Sequence, residues 1–393
     1  MFGAMNFESI SFVLFILFLL ALVHRDRKKI KVEGIMIMRR TKKGRDFIDR
    51  IAKLCPHCWN SLAVIAVLIS IVVMFVGPLF LWNQAVAISS GQAREGVRLI
   101  LPWAVSSVES KPGVLLLPWW LWVIAALSVM IPHELSHGII SRVEKIPIKS
   151  IGWVLLLFLP GAFVEPDEKK LKAAKKSTRL KIYAAGSFAN FIIALLVSGI
   201  VLLVNVSVLT PNGIIPAGLI QDYPCDQANV TGVIQEIAGE PVITVDDVSR
   251  ILSQIPVGSN ITIKTDKGVF NITTVESPDT ANKSFIGIAG PFTQNYALKK
   301  SVKAKFGDIM PQIEILKMVL FWIFLINAGV GIVNLLPLKP LDGGIIFEEL
   351  AGEVTNNKNK IKKVTSIVSI AMLLLLLFNL FGPYLVSFVS SLA

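Results

Sequence analysis

The chain contains 393 residues, 53% of them hydrophobic, and carries a formal net charge of +12. With a mean hydropathy of +0.66, this composition excludes an ordinary soluble globular domain and describes a polytopic membrane protein. The excess Lys and Arg fall in blocks without interleaved aromatics, so membrane lipid is the expected contact and no nucleic-acid partner is expected.

Runs long enough to cross a hydrocarbon layer, which takes about 20 residues, occur at 8–23, 61–83, 114–137, 183–204, 314–337 and 364–389. The expectation is a polytopic α-helical membrane protein of about six transmembrane helices, with a seventh, shorter hydrophobic piece at 151–164. No basic residue precedes the first run and no small-residue cleavage site follows it, so it reads as a retained anchor with its N-terminus outside. Trp59, Trp82, Trp119, Trp120 and Trp122 fall near span ends, as interfacial anchors should.

Between Arg25 and Lys53 there are twelve Lys or Arg against four Asp or Glu. A second basic block comprises Lys169, Lys170, Lys172, Lys175, Lys176, Arg179 and Lys181, and the loop Asn356 to Lys363 adds four lysines. All three should face the cytoplasm, and the crossings then alternate without contradiction. Cys55-Pro56-His57-Cys58 has metal or dithiol spacing, but only Cys225 remains elsewhere, so four thiolate ligands are not to be had. A second metal or redox site at Cys55, His57 and Cys58 stands beside the plainer reading of unmodified thiols, since a stable disulfide is disfavoured on the cytoplasmic side.

The third run ends in His133-Glu134-Leu135-Ser136-His137. On a helix, residues four apart share a face, so His133 and His137 can address one ion. Glu134 is offset from that face and is placed to take a proton from water at the ion, the division of labour in a zinc hydrolase. Ionisable groups inside an apolar helix carry a desolvation cost of several kcal/mol unless coordinated or hydrated, so packing alone does not explain them. The third ligand expected is Asp342, which follows the fifth run in Asn334-Leu335-Leu336-Pro337-Leu338-Lys339-Pro340-Leu341-Asp342-Gly343-Gly344 at matching membrane depth. Pro337 and Pro340 interrupt helical hydrogen bonding and Gly343-Gly344 lets the backbone turn, delivering the carboxylate from broken helix into a polar cavity.

Between the fourth and fifth runs, about 210–305, the composition changes to turn residues, short alternating strands and charges. Gly232–Val242 reads as strand, turn, strand; Thr244–Gln254 as a helix; Asn260–Thr265 and Val269–Val275 as a hairpin. That order resembles a PDZ domain, which captures extended segments by main-chain pairing. Ile214–Ile220 resembles the entry to its groove, and an unrelated small β-rich domain is the alternative. Sequons at Asn205, Asn229, Asn260, Asn271 and Asn282 agree with an extracytoplasmic insert.

These motifs together resemble the site-2 protease family of intramembrane zinc metalloproteases. The resemblance implies His133, His137 and Asp342 as Zn2+ ligands and Glu134 as the catalytic glutamate. It places Asn334 near the substrate path, with Pro337, Pro340 and Gly343 framing the segment. Gly186-Ser187-Phe188-Ala189-Asn190 resembles the family's central-helix pentapeptide. There Gly186 would permit close helix approach and Asn190 would contact substrate or a transition-state oxygen, with a packing role as the alternative. Gly152–Val164 resembles a membrane-embedded strand or hairpin whose edge receives unwound substrate, a re-entrant structural loop being the alternative. The domain division expected is 1–113, two N-terminal spans; 114–209, first half of the core; 210–305, the PDZ-like domain; 306–350, second half of the core; and 351–393, the last span. The activity implied is cleavage of a single-span membrane protein, pre-trimmed by another protease, near the cytoplasmic leaflet. An inactive membrane scaffold recruiting proteins through its outer domain and a membrane transporter are the rival classes.

Overall fold

The computed structural model describes residues 7–93, 96–104, 113–156 and 159–392. The chain divides into two compact units, Met1–Ser198 with Met318–Ala393, and Gly199–Lys317. Among the described residues, six helices are long and apolar enough to cross a membrane, so this is a multi-pass integral membrane protein.

The first span is α1 (Phe7–Asp26). The basic block after it contains a hairpin, β1 (Ile30–Glu33) and β2 (Met36–Thr41), and then the amphipathic helix α2 (Arg45–Leu54). Ile48 and Ala52 of α2 are buried against Ile139 and Ile148. The second span, α3 (Pro56–Ser89), starts at a proline, whose missing N–H has no helical partner to lose in the first turn. Cys55 and Cys58 are joined in a disulfide, which corrects the expectation of unmodified thiols. The turn into α3 brings their Cα atoms to 5.3 Å, inside the range a disulfide bridges, and with both sulfurs so engaged no thiolate is left to join His57 at a metal.

The run beginning at Val114 is not helical throughout. Its first residues form β4 (Val114–Pro118), paired in parallel with β3 (Leu99–Trp103), and the helix α4 starts at Trp119 and runs to Val143. A continuous apolar run does not by itself separate strand from helix, and Pro118 marks the change. The shorter piece at 151–164 is likewise no span. It lies in a hairpin of β5 (Ile148–Leu156) and β6 (Leu159–Pro166), and β2 pairs with β5 to give a sheet in the order β1-β2-β5-β6, leaving β6 at an edge. A short helix α5 (Glu168–Ala173) then leads into the fourth span, α6 (Lys176–Val208).

The second unit is a mixed α+β region. Its elements are β7 (Leu209–Ile215), β8 (Gly218–Leu219), α7 (Pro224–Gln227), β9 (Ile234–Ile237), β10 (Glu240–Pro241), α8 (Val245–Gln254), β11 (Asn260–Thr265), β12 (Val269–Thr273), β13 (Val275–Glu276), β14 (Ser284–Phe285), β15 (Ile288–Ala289), β16 (Thr293–Leu298) and α9 (Lys300–Phe306). The main sheet runs β12-β11-β9-β7-β16, with β10 on β9. β11 alternates inward and outward residues, and Ile263 joins Ile214, Ile234, Ile237 and Ile251 in the core. α8 begins in a capping box of Thr244 and Asp247. The segment Ile214–Ile220 is divided: Ile214 belongs to β7, while β8 pairs with β15. Asn229, Asn260, Asn271 and Asn282 are exposed, whereas Asn205 lies half-buried within α6.

The fifth span, α10 (Met310–Asn334), stops before the prolines, and a separate helix α11 (Asp342–Val354) begins at Asp342. The last span is α12 (Lys358–Leu392).

Candidate metal centre

His133 and His137 sit one turn apart on α4, their rings 4.7 Å apart and inclined at 80°. Their Nε2 atoms are 3.1 Å apart. Asp342 Oδ2 lies 3.4 Å from Nε2 of His133 and 3.3 Å from Nε2 of His137. Two stretches separated by about two hundred residues in sequence therefore converge on one point.

The chain path after Asn334 explains how Asp342 arrives there. The helix ends in tight turns, with Leu338 N–H bonding the Leu336 carbonyl at 2.7 Å and Leu341 N–H the Leu338 carbonyl at 2.9 Å. α11 then folds back against that turn so closely that a Cβ on Gly343 would lie 2.3 Å from the Leu335 carbonyl. Only glycine fits such an approach. Pro337 is buried in the turn and Pro340 is exposed on it. Two turns further along the same helix, Glu349 takes a bidentate pair from Arg179 of α6, at 2.7 and 2.6 Å.

The outer partners of the two imidazoles fix how they present themselves. His137 Nδ1 donates to the Ile182 carbonyl at 2.7 Å, which leaves the Nε2 lone pair facing the cluster. His133 Nδ1 is 3.2 Å from the amide nitrogen of Asn190, whose Oδ1 is buried without a partner. Turning that amide by 180° puts the oxygen on Nδ1–H and frees Nε2 of His133 in the same way. Gly186 faces the pair from α6: a Cβ there would sit 2.4 Å from Nε2 of His137 and 2.6 Å from Nε2 of His133.

The donor set fits a zinc ion. Ligands at about 2.0–2.1 Å in tetrahedral array stand about 3.3 Å from one another, the spacing found here, and the three donor atoms all lie within 4.8 Å. Asp342 Oδ2 is buried with no hydrogen-bond donor, an orphaned charge that an ion would satisfy. Two nitrogens and one carboxylate oxygen, with the remaining position open, are the donors of a catalytic rather than a structural zinc site.

Glu134, next to His133 on α4, accepts the N–H of Val164 in β6 through its Oε2 at 2.9 Å. No sequence signal marks this contact. Asn190 is wholly buried on His133. Asn334 ends α10 half-buried, its side chain without a hydrogen-bond partner among the described residues. Sequence reading passed over Asn327, buried in the fifth span with its Nδ2 bonding Ser128 Oγ of α4 at 2.9 Å; an amide inside an apolar span was signal enough.

Membrane-spanning helices around an embedded His-His-Asp centre, with a carboxylate beside it, define an intramembrane metal-dependent hydrolase. Residues 121–378 match the model of peptidase family M50, and the chain belongs to that family, the site-2 proteases. It is an intramembrane zinc endopeptidase acting on membrane-embedded proteins. The chain is also similar to uncharacterized protein MJ0971 of Methanocaldococcus jannaschii, at 26% identity over 348 residues that cover 86% of this chain and 83% of that one.

Proposed function

We propose that Glu134 is the general base and acid of the reaction and that β6 presents the substrate to it. The observation carrying this reading is the bond from Glu134 Oε2 to Val164 N–H, which puts the carboxylate between the ligand histidine beside it and the open edge of the sheet. His133, His137 and Asp342 would hold a zinc ion, which would supply Lewis acidity and lower the pKa of a nearby water. Glu134 is the group that accepts a proton from the attacking water and delivers one to the leaving amide nitrogen. Asn190 and the Ile182 carbonyl orient the ligand imidazoles, and Gly186 keeps the space between them clear.

A helical peptide bond is shielded by its own hydrogen bonds, so the substrate must unwind before it reacts. In an antiparallel pair alternate residues turn their main-chain groups outward. Ala162 shares the outward set with Val164, giving an unwound segment main-chain partners along β6. Asn334 stands at the end of α10 as a further contact for it.

The three basic stretches support a topology with the loops that carry them in the cytoplasm and the insert outside, and the cut then falls near the cytoplasmic leaflet. The two core halves are 114–209 and 306–350. The insert serves as a PDZ-like module that takes extended segments and restricts cleavage to single-span substrates already trimmed by another protease.

The test uses the full chain in lipid with a reporter span of leucine and alanine, broken by a Gly-Gly pair near its cytoplasmic end. Glu134→Gln should keep stoichiometric zinc and lose about 10²–10⁴-fold in cleavage rate. A Glu134→Gln protein cutting the reporter at the wild-type rate would falsify the role given to Glu134.

A further inference from the structure

Cys55-Pro56-His57-Cys58 takes no part in the metal centre. Its disulfide lies at the joint between α2 and α3, where Cys55 is the single residue between Leu54 and Pro56. A bridge across a separation of three residues removes little freedom from the unfolded chain and is a weak staple beside one that closes a long loop. Other contacts hold the corner. Ile48 and Ala52 of α2 pack with Ile139 and Ile148, Asp49 of α2 pairs with Arg142 of α4, and Trp59 Nε1 donates to the Ile51 carbonyl at 2.9 Å. The disulfide can therefore open without releasing α2 from α4.

The two sulfurs are not equivalent. At 34 residues, α3 is longer than the roughly 20 a crossing needs, and exposed His57, Cys58 and Asn60 mark its first turns as the aqueous end. Cys55 is half-buried, and its Sγ caps the helix by accepting the Cys58 N–H at 3.4 Å. The unpaired N–H groups and the positive dipole end of that first turn favour a thiolate at Cys55. A sulfur stabilised as thiolate is the better leaving group, and the exposed sulfur of Cys58 is the one a thiol from solution reaches. Cys225 offers a contrast: it is buried in the core of the insert, where desolvation pushes its thiol up to about 12.

We propose that Cys55 and Cys58 form a thiol–disulfide exchange site for cytoplasmic thiols, a second reactive centre on the same chain. The inference rests on the topology above, which puts this loop in the cytoplasm. Disulfides there are mostly transient, catalytic or redox-sensing, and exposed ones are the labile kind. An incoming thiolate attacks Sγ of Cys58, the S–S bond breaks, and Cys55 leaves as a thiolate at the start of α3. A second thiol, on the same molecule or another, attacks the mixed disulfide and releases Cys58. The pair gains two electrons and two protons, and the two thiols become one disulfide; the reverse sequence closes the pair.

The test uses the full chain in lipid with reduced and oxidised glutathione, mixed in stepped ratios, as the probe. Alkylation and mass spectrometry read the state of the two cysteines. The pair should pass reversibly from closed to open within the series while zinc content stays constant. Cys55→Ser keeps a good helix cap and should accumulate one glutathione on Cys58, which the wild type does not, because its Cys55 displaces the adduct. A pair that stays closed in reduced glutathione alone, as a structural bridge does, would overturn the proposal, and so would a Cys55→Ser protein that takes up no glutathione.

A second measurement checks the compartment. In the Cys55→Ser protein a membrane-impermeant maleimide should label Cys58 in broken cells and not in intact ones. Labelling of intact cells would overturn the cytoplasmic partner, and with it the topology, without touching the assignment of the metal ligands.

Discussion

Gly186 and His137 approach so closely that a Cβ on the glycine would lie 2.4 Å from the imidazole Nε2. A contact under 3 Å with a ligand nitrogen forces either the helix or the ring to move, so the absence of a side chain at Gly186 is part of the metal centre. Gly186→Ala should lose more zinc affinity than the roughly 10–100-fold typical of removing an outer hydrogen-bond partner. Gly199→Ala on the same helix has open space around it and should bind zinc as the wild type does. Zinc titration of the two purified proteins against a chelator decides the matter.

Asn190 is the outer partner of His133. Asn190→Ala removes the group that holds the imidazole and should weaken zinc binding about 10–100-fold. Asn190→Asp keeps an acceptor of the same shape and should restore most of the affinity, which a packing role would not predict, since a buried carboxylate packs worse than alanine. If Asp rescues nothing, the orienting role is wrong.

The pair Arg179 and Glu349 ties the start of α6 to α11, whose first residue is Asp342. Both side chains are largely shielded, at 19% and 18% exposed, and the bonds are charge-assisted. Glu349→Ala should destabilise the fold by ~1.5–3 kcal/mol, seen as an earlier denaturation midpoint in detergent. Zinc affinity should fall less than with Asp342→Ala, because α11 loses an anchor but keeps the ligand.

Much of this architecture was legible because two signals are nearly context-free. Spans follow from length and apolarity, and His133, His137 and Asp342 follow from spacing and from charge placed inside lipid. The insert's helix and hairpin came from alternation and turn chemistry, and α8, β11 and β12 lie where those patterns put them. What was hidden depends on distant partners. The strand at Val114–Pro118 reads as helix until β3 is seen beside it. The hairpin β1 and β2 sits in a basic block whose charges mask its pairing with β5. Nothing at Val164 announces that its N–H belongs to Glu134.

The capping carboxylate of α8 sets a pH dependence for the insert. Asp247 Oδ2 accepts the N–H of Thr244 at 2.8 Å and that of Ile243 at 3.0 Å, and Oδ1 accepts from Arg250 at 3.1 Å. These bonds, the one from Thr244 foremost, hold its pKa down to about 2 from the usual 3.8. A depressed carboxylate stabilises the folded form fully above its unfolded pKa, and that contribution disappears as pH falls from about 4 through about 2. Amide exchange of Val245–Gln254 in the wild type and in Asp247→Asn, compared at matched pH so that intrinsic rates cancel, reads it directly. At pH about 5 the variant should exchange faster, and near pH 2 the two proteins should converge. A gap that persists undiminished at the acid end would mean that the box is held by Thr244 and the helix packing and owes nothing to the charge on Asp247.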